Sequence, residues 1–148
     1  MRVLHIISGD IWAGAEVQAF SLICGSARLD SCEVQAIIFN DGVLASNLRE
    51  AKIPVTILNE HNRSLISVIS GCLQVIKAFG PHIVHTHGFK ENFLGGIAGR
   101  LGRVKGLVRT HHGRGLIGSR GKYNLIELIN ALFLTDGAIA VSHDLENL

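Results

Sequence analysis

"SLISVISGCLQVIKAFGPHIVHTHG", residues 64–88, holds two kinds of element in direct succession. In its first part Leu65, Val68, Ile69, Cys72, Leu73, Ile76 and Phe79 recur at i, i+3, i+4 and i+7 spacing, which puts them on one stripe of a helix. Ser64 supplies an N-cap hydroxyl, and Gly80 with Pro81 stops the helix. Ile83 and Val84 then open a short apolar strand that ends in His85, Thr86 and His87. A helix that stops and feeds a buried strand at once is the repeating step of a layered α/β fold.

Outward from this stretch the same kind of strand recurs at Val3–Ser8, Val34–Phe39, Val55–Leu58, Leu107–Arg109 and Ala138–Ser142. These runs are nearly continuous in apolar residues, so both faces of the sheet are expected to be covered and the strands to be parallel. Further helical patterns run over Glu16–Ala27, through Val17, Phe20 and Cys24, and over Leu125–Leu134, through Leu125, Leu128, Ile129 and Leu132. Strand and helix alternate about six times. The expected fold is therefore α/β, a Rossmann-like doubly wound parallel sheet of about six strands with helices on both faces. One domain spanning residues 1–148 accounts for the whole sequence, which shows no linker or internal repeat. The final "AIAVSHDLENL" enters a helix as the chain stops, so a fragment of a longer protein is expected.

Composition narrows the function. A formal charge of +2 gives no argument for nucleic acid. Cys24, Cys32 and Cys72 are scattered without CxxC spacing, which fits a reducing compartment and not a zinc site or a disulfide framework. No apolar run is long enough for a membrane span. The opening "MRVLHIISGDIW" reads as a strand, not a signal peptide, so a cytoplasmic location is expected.

Ligands of open parallel sheets bind beyond the carboxyl ends of the strands, where strand order reverses. With the common order 3-2-1-4-5-6, "SGDIWAGAE" after the first strand, "HTHGFKEN" after the fourth and "RTHHGRG" after the fifth share one rim. The first loop brings small residues to a helix start, whose N–H groups suit a phosphate. It matches neither the dinucleotide fingerprint nor a P-loop. His85, still inside its strand, reads as a packed core histidine; His87, at the strand exit before Gly88, reads as a binding residue. A metal held by His85, His87, His111 and His112 is not expected, because no carboxylate or cysteine at ligand spacing joins them. Between Arg100 and Lys122 there are seven basic residues and no Asp or Glu, with Arg114, Arg120 and Lys122 leading into "YNLIELINALFL". This is either a solvated face or a surface for an anionic membrane or a phosphorylated acceptor.

"RVLHIISGDIWAGAEVQAFSL", "PHIVHTHGFKENFLGGIAGRLGR", "LVRTHHG" and "AIAVSHDL", in that order, resemble the N-terminal half of family 4 glycosyltransferases of the GT-B fold. The resemblance implies a retaining transfer of a sugar from a nucleotide-sugar donor to an acceptor hydroxyl, in cell-envelope polysaccharide or glycolipid synthesis. It implies no metal or other cofactor, and a second domain that holds the nucleotide, so the chain by itself is expected to be inactive. By position it assigns Ala13, Gly14 and Ala15 to the donor phosphate, with Ala13 standing where the family has glycine. It assigns His87 to the catalytic site, beside the transferred sugar, and Glu16, Arg109, His111 and Ser142 to the acceptor side of the cleft. Two other readings remain open at this level. One is a GT-B-like nucleotide-sugar epimerase; the other is a stand-alone flavodoxin-like binding module.

Overall fold

The computed structural model describes residues 1–112 and 121–141, without the side chains of residues 62 and 121–124. Its elements are β1 (Arg2–Ile7), α1 (Gly14–Ala27), β2 (Glu33–Ile38), α2 (Val43–Glu50), β3 (Val55–Ile57), a 3-10 turn (Glu60–Asn62), α3 (Leu65–Phe79), β4 (Ile83–Thr86), α4 (Phe89–Leu101), β5 (Gly106–His111), α5 (Gly121–Phe133) and β6 (Gly137–Ala140). The sheet runs β3-β2-β1-β4-β5-β6, with every neighbouring pair parallel. The expected strand order holds, and its reversal falls between β1 and β4.

Two cores flank the sheet. On one side Ile7, Val34, Ala36 and Ile38 pack against Ala19 and Ile23 of α1 and Leu44, Ala45 and Leu48 of α2. On the other, Leu4, Ile6, Ile37, Val84 and Leu107 meet Val68, Cys72 and Ile76 of α3 and Leu94 and Ala98 of α4. Burying each of the larger aliphatic side chains contributes roughly 1.5–3 kcal/mol. The alternation along β1 thus sends even-numbered residues to α3 and α4, and odd-numbered ones, His5 among them, to the α1 side.

The helix read from residues 64–80 forms as expected. Ser64 Oγ accepts the Ser67 N–H at 3.3 Å, and Gly80 ends the helix in the left-handed region at φ 61°, ψ 54°. Helix α4 carries three glycines on its inner side. A Cβ on Gly95 would come 2.6 Å from Ile6 Cδ1, on Gly96 2.8 Å from Leu134 Cβ, and on Gly99 2.5 Å from Leu107 Cδ2. Their bareness lets α4 lie close on β1 and β5.

Two apolar stripes differ from their sequence patterns. In α1 the buried face is centred on Ala19 and Ile23, while Val17 is exposed. The small Ala19 side chain lets the helix settle against Ile7 and Ile38, leaving Phe20 and Cys24 at the margin of that core. In α5, Leu125, Leu128 and Leu132 are exposed, and the inward positions are Asn130 and the following Leu134. The leucine stripe of α5 therefore lies on the outside of this domain.

Candidate functional site

The register of β1 on β4 pairs His5 with His85, and the backbone N–H of His87 extends that pairing by donating to the Ile6 carbonyl at 3.0 Å. Side chains two apart on a strand share a face, so His5, His85 and His87 stand together on the α1 side of the sheet. His5 Nδ1 lies 3.0 Å from His87 Nε2, and His87 Nδ1 lies 3.3 Å from His112 Nε2. The rings of His85 and His87 stack at 4.3 Å, 25° from parallel, and His85 Nε2 is 2.7 Å from Thr110 Oγ1. His5, His85 and His87 are buried, and His112 is half-buried. An imidazole chain thus runs from the sheet interior, through His87, to the rim.

Burial keeps this chain neutral. Desolvation, aided by the neighbouring imidazole, lowers His5 to about 3 and His85 to about 4. Burial, with three surrounding histidines, holds His87 well below the ordinary imidazole range. His112 is lowered by burial as well, with the Glu16 carboxylate of α1 pulling the other way. Near pH 7 these side chains are hydrogen-bonding groups and carry no charge.

The loop after β1 delivers the start of α1 to the same edge. Ala13 is its N-cap, extended at φ −135°, ψ −171°, and no side chain caps the helix among the described residues. The first intrahelical bond is Val17 N–H to the Ala13 carbonyl at 2.9 Å, which leaves the amides of Gly14, Ala15 and Glu16 as the open turn. A Cβ on Gly14 would meet nothing within 4 Å. An open helix N-terminus with a bare approach is a ready anion seat.

Beside it lies a polar network that the sequence reading did not single out. Ser8 donates to Glu91, a buried carboxylate in the first turn of α4 whose burial pushes its proton affinity up. Gly88, at φ 149°, makes the turn into α4, and a Cβ there would collide with Glu91 Oε2. Asn40 Nδ2 donates to Asp10 and, at 2.9 Å, to Glu60 Oε1, which also takes Lys90 Nζ at 2.5 Å. Each of these residues follows closely on the end of a strand. That common position, at the carboxyl edge of a parallel sheet, is the signal that would have found them.

The structure brings Glu16 and His87 together with His112. His111 and Arg109 belong to the other face. Arg109 is buried with its Nη1 2.5 Å from Glu127 Oε1 of α5, and His111 sits beside that pair, lowered by burial and then by the Arg109 charge. The residue that reaches His87 from this strand is thus His112, just past the end of β5 and one position on from the candidate His111. Arg114, Arg120 and Ser142 lie outside the described residues, and Lys122 lies on α5 with its side chain undescribed. Among the described residues, His5, His85 and His87 each bring a ring nitrogen within 4.8 Å of the others, the one grouping that could hold a transition metal. His5 Nδ1 and His87 Nε2 face one another at 3.0 Å and His85 Nε2 lies 2.7 Å from Thr110 Oγ1, so these nitrogens would have to give up those contacts to ligate a metal. No helix among the described residues is long and apolar enough to cross a membrane.

Comparison with known proteins agrees with this architecture. Residues 12–148 match the model of Glycosyltransferase Family 4. No curated protein sequence matches the chain. Among solved structures, HepE from Anabaena in complex with UDP superposes with a TM-score of 0.77 at 18% identity, over 96% of this chain and 38% of its own. The UDP-GlcNAc 2-epimerase of Neisseria meningitidis bound to UDP-GlcNAc gives 0.73 at 18% identity, over 99% and 42%. MurG of Acinetobacter baumannii gives 0.70 at 12% identity, over 97% and 41%. The chain thus spans about two-fifths of the length of these structures, and at such identities the likeness is one of fold.

Proposed function

Because the chain belongs to glycosyltransferase family 4, we propose that it is the N-terminal, acceptor-side domain of a retaining glycosyltransferase. In this reading a second domain supplies the nucleotide site, and the 148-residue chain alone folds without turning over. The observation that carries the reading is the convergence, on one sheet edge, of the open N-terminus of α1 with the neutral imidazole chain ending at His112.

The division of labour follows from charge. Neutral histidines cannot balance a departing diphosphate. That role falls to the partial positive charge of the α1 N-terminus, through the amides of Gly14 and Ala15 beside Ala13. His87 offers a neutral hydrogen bond to the transferred sugar, and Glu16, on the same edge as His112, borders the acceptor. Arg109 acts at one remove, by holding Glu127. In retaining transfer the bond from the anomeric carbon to the diphosphate oxygen breaks as the bond to the acceptor oxygen forms on the same face. The acceptor proton passes to the departing phosphate. Positioning then supplies most of the rate, and no metal or other cofactor is assigned.

The solved relatives that hold UDP, UDP-glucose and UDP-GlcNAc make uridine diphosphate sugars the first donors to try. A glycan or lipid-linked acceptor at the inner face of a cytoplasmic membrane, in envelope polysaccharide or glycolipid synthesis, fits the outward leucines of α5 beside the basic run. The test is a donor screen on the full-length protein that carries this chain, following nucleotide release with and without acceptor. Acceptor-dependent release supports the transferase. Interconversion of a UDP-sugar without any acceptor would move the assignment to an epimerase, the activity named for one of the fold relatives. Failure to bind any nucleotide sugar would leave a stand-alone binding module.

A further inference from the structure

The innermost histidine has no part in the cleft itself, yet it touches the one that does. Every neutral imidazole has a single N–H, and His87 uses both ring nitrogens: Nε2 towards His5 and Nδ1 towards His112. The chain of three can therefore run in only two directions. If it runs inward, His112 Nε2–H donates to His87 Nδ1, His87 Nε2–H donates to His5 Nδ1, and His5 must carry its own proton on Nε2. That atom is buried and has no hydrogen-bond partner. If the chain runs outward, His5 Nδ1–H donates to His87 Nε2, His87 Nδ1–H donates to His112 Nε2, and His5 Nε2 is left as a bare lone pair. Buried N–H groups without a partner are rarer in folded proteins than acceptors left unfilled, so the outward direction, which strands only a lone pair on His5 Nε2, is the favoured one.

We propose that His5 is a positioning residue for His87, fixing it as the Nδ1–H tautomer with its proton turned towards the rim. His85 completes the seat: its ring stacks on His87 at 4.3 Å, and its Nε2 is anchored on Thr110 Oγ1. The consequence for chemistry rests on the reading of this edge as a sugar-nucleotide cleft. A ligand that displaces His112 from His87 meets a hydrogen-bond donor, so the atom it presents there must be an acceptor, a sugar or phosphoryl oxygen. With Nδ1 protonated and Nε2 engaged by His5, His87 has no free lone pair with which to deprotonate an acceptor hydroxyl.

The experiment is a long-range ¹H–¹⁵N correlation spectrum of histidine side chains in this chain, near pH 7.5. The expected result is His87 with a protonated Nδ1 and a pyridine-type Nε2. In His5→Phe that preference should vanish, and in His5→Asn, whose amide N–H can stand where Nδ1–H was, it should return. A His87 protonated on Nε2 in the unaltered chain overturns the proposal. So does an unchanged tautomer in His5→Phe. The unaltered chain suffices for the first outcome, so a His5→Phe variant that fails to fold leaves the test standing. None of these spectra depends on a sugar donor. An Nδ1–H His87 in a protein that uses no nucleotide sugar defeats the transferase reading alone, and an active transferase with Nε2–H defeats this proposal alone.

Discussion

The imidazole of His112 closes over that of His87, Nε2 to Nδ1 at 3.3 Å with ring centroids 5.5 Å apart. His87 is buried and His112 half-buried, so a ligand approaching the rim meets His112 first. In the full-length protein His87→Ala should lower kcat about 100-fold, the scale for losing one well-placed hydrogen-bond donor. His112→Ala should act chiefly on KM, by about tenfold, because it removes the cover and leaves the donor. Steady-state kinetics with a thermal melt on each variant checks this. Near-normal turnover in a folded His87→Ala protein would take His87 out of the site.

Gly14 tests the anion seat. A Cβ there meets nothing within 4 Å in this domain, so Gly14→Ala should leave Tm unchanged or slightly raised as the unfolded chain loses freedom. If the donor diphosphate lies against these amides, the added methyl stands in its way. A rise of roughly tenfold in donor KM, equivalent to about 1.4 kcal/mol, is the expected cost. An unaltered donor KM would place the diphosphate elsewhere.

Acid should unfold the domain earlier than its carboxylates alone would dictate. His5 and His85 are lowered to about 3 and about 4 from an unfolded value near 6.5, and His87 is lowered as well. Below pH 6.5 the unfolded chain binds these protons and the folded one does not. Stability is therefore complete above about pH 6.5 and falls as the pH drops towards 4. Each such group contributes up to about 1.4 kcal/mol per pH unit in that window. Glu91 acts with the opposite sign, since its raised proton affinity favours the fold at low pH and is lost as pH rises. Three groups outweigh one, so urea midpoints should fall steeply between pH 6.5 and 4.5. His5→Phe, if it folds, should flatten the slope.

The fold was legible in the sequence wherever the information is local. The stripe from Leu65 to Phe79, its Ser64 cap and its Gly80 stop all sit within one helix length, and the apolar strands announce a covered parallel sheet. The position of the rim follows from strand order alone. Helix α4 gave a weaker signal, because Gly95, Gly96 and Gly99 are poor helix formers chosen here for close packing. The part of His5 was out of reach, since its partner lies 82 residues away and only the register of β1 on β4 joins them. The exchange of His111 for His112 has the same origin. A step of one residue at a strand end moves a side chain to the other face of the sheet, and no local pattern marks where β5 ends.

Helix α5 offers the remaining test. Leu125, Leu128 and Leu132 stand exposed on it, with Phe133 beside them and Leu101 of α4 exposed as well. A leucine face that a domain does not use internally, next to a run of lysine and arginine without acidic residues, is the composition of an interfacial membrane contact. The full-length protein should co-sediment with vesicles rich in anionic lipid and not with neutral ones, and raising salt from about 0.1 to 1 M should weaken the binding as the Debye length shrinks from about 10 to 3 Å. Leu125→Ser with Leu128→Ser should reduce binding without lowering Tm, because neither side chain is in the core. If those substitutions destabilise the full-length protein instead, the face is covered by the rest of its own chain, and the membrane reading of α5 fails.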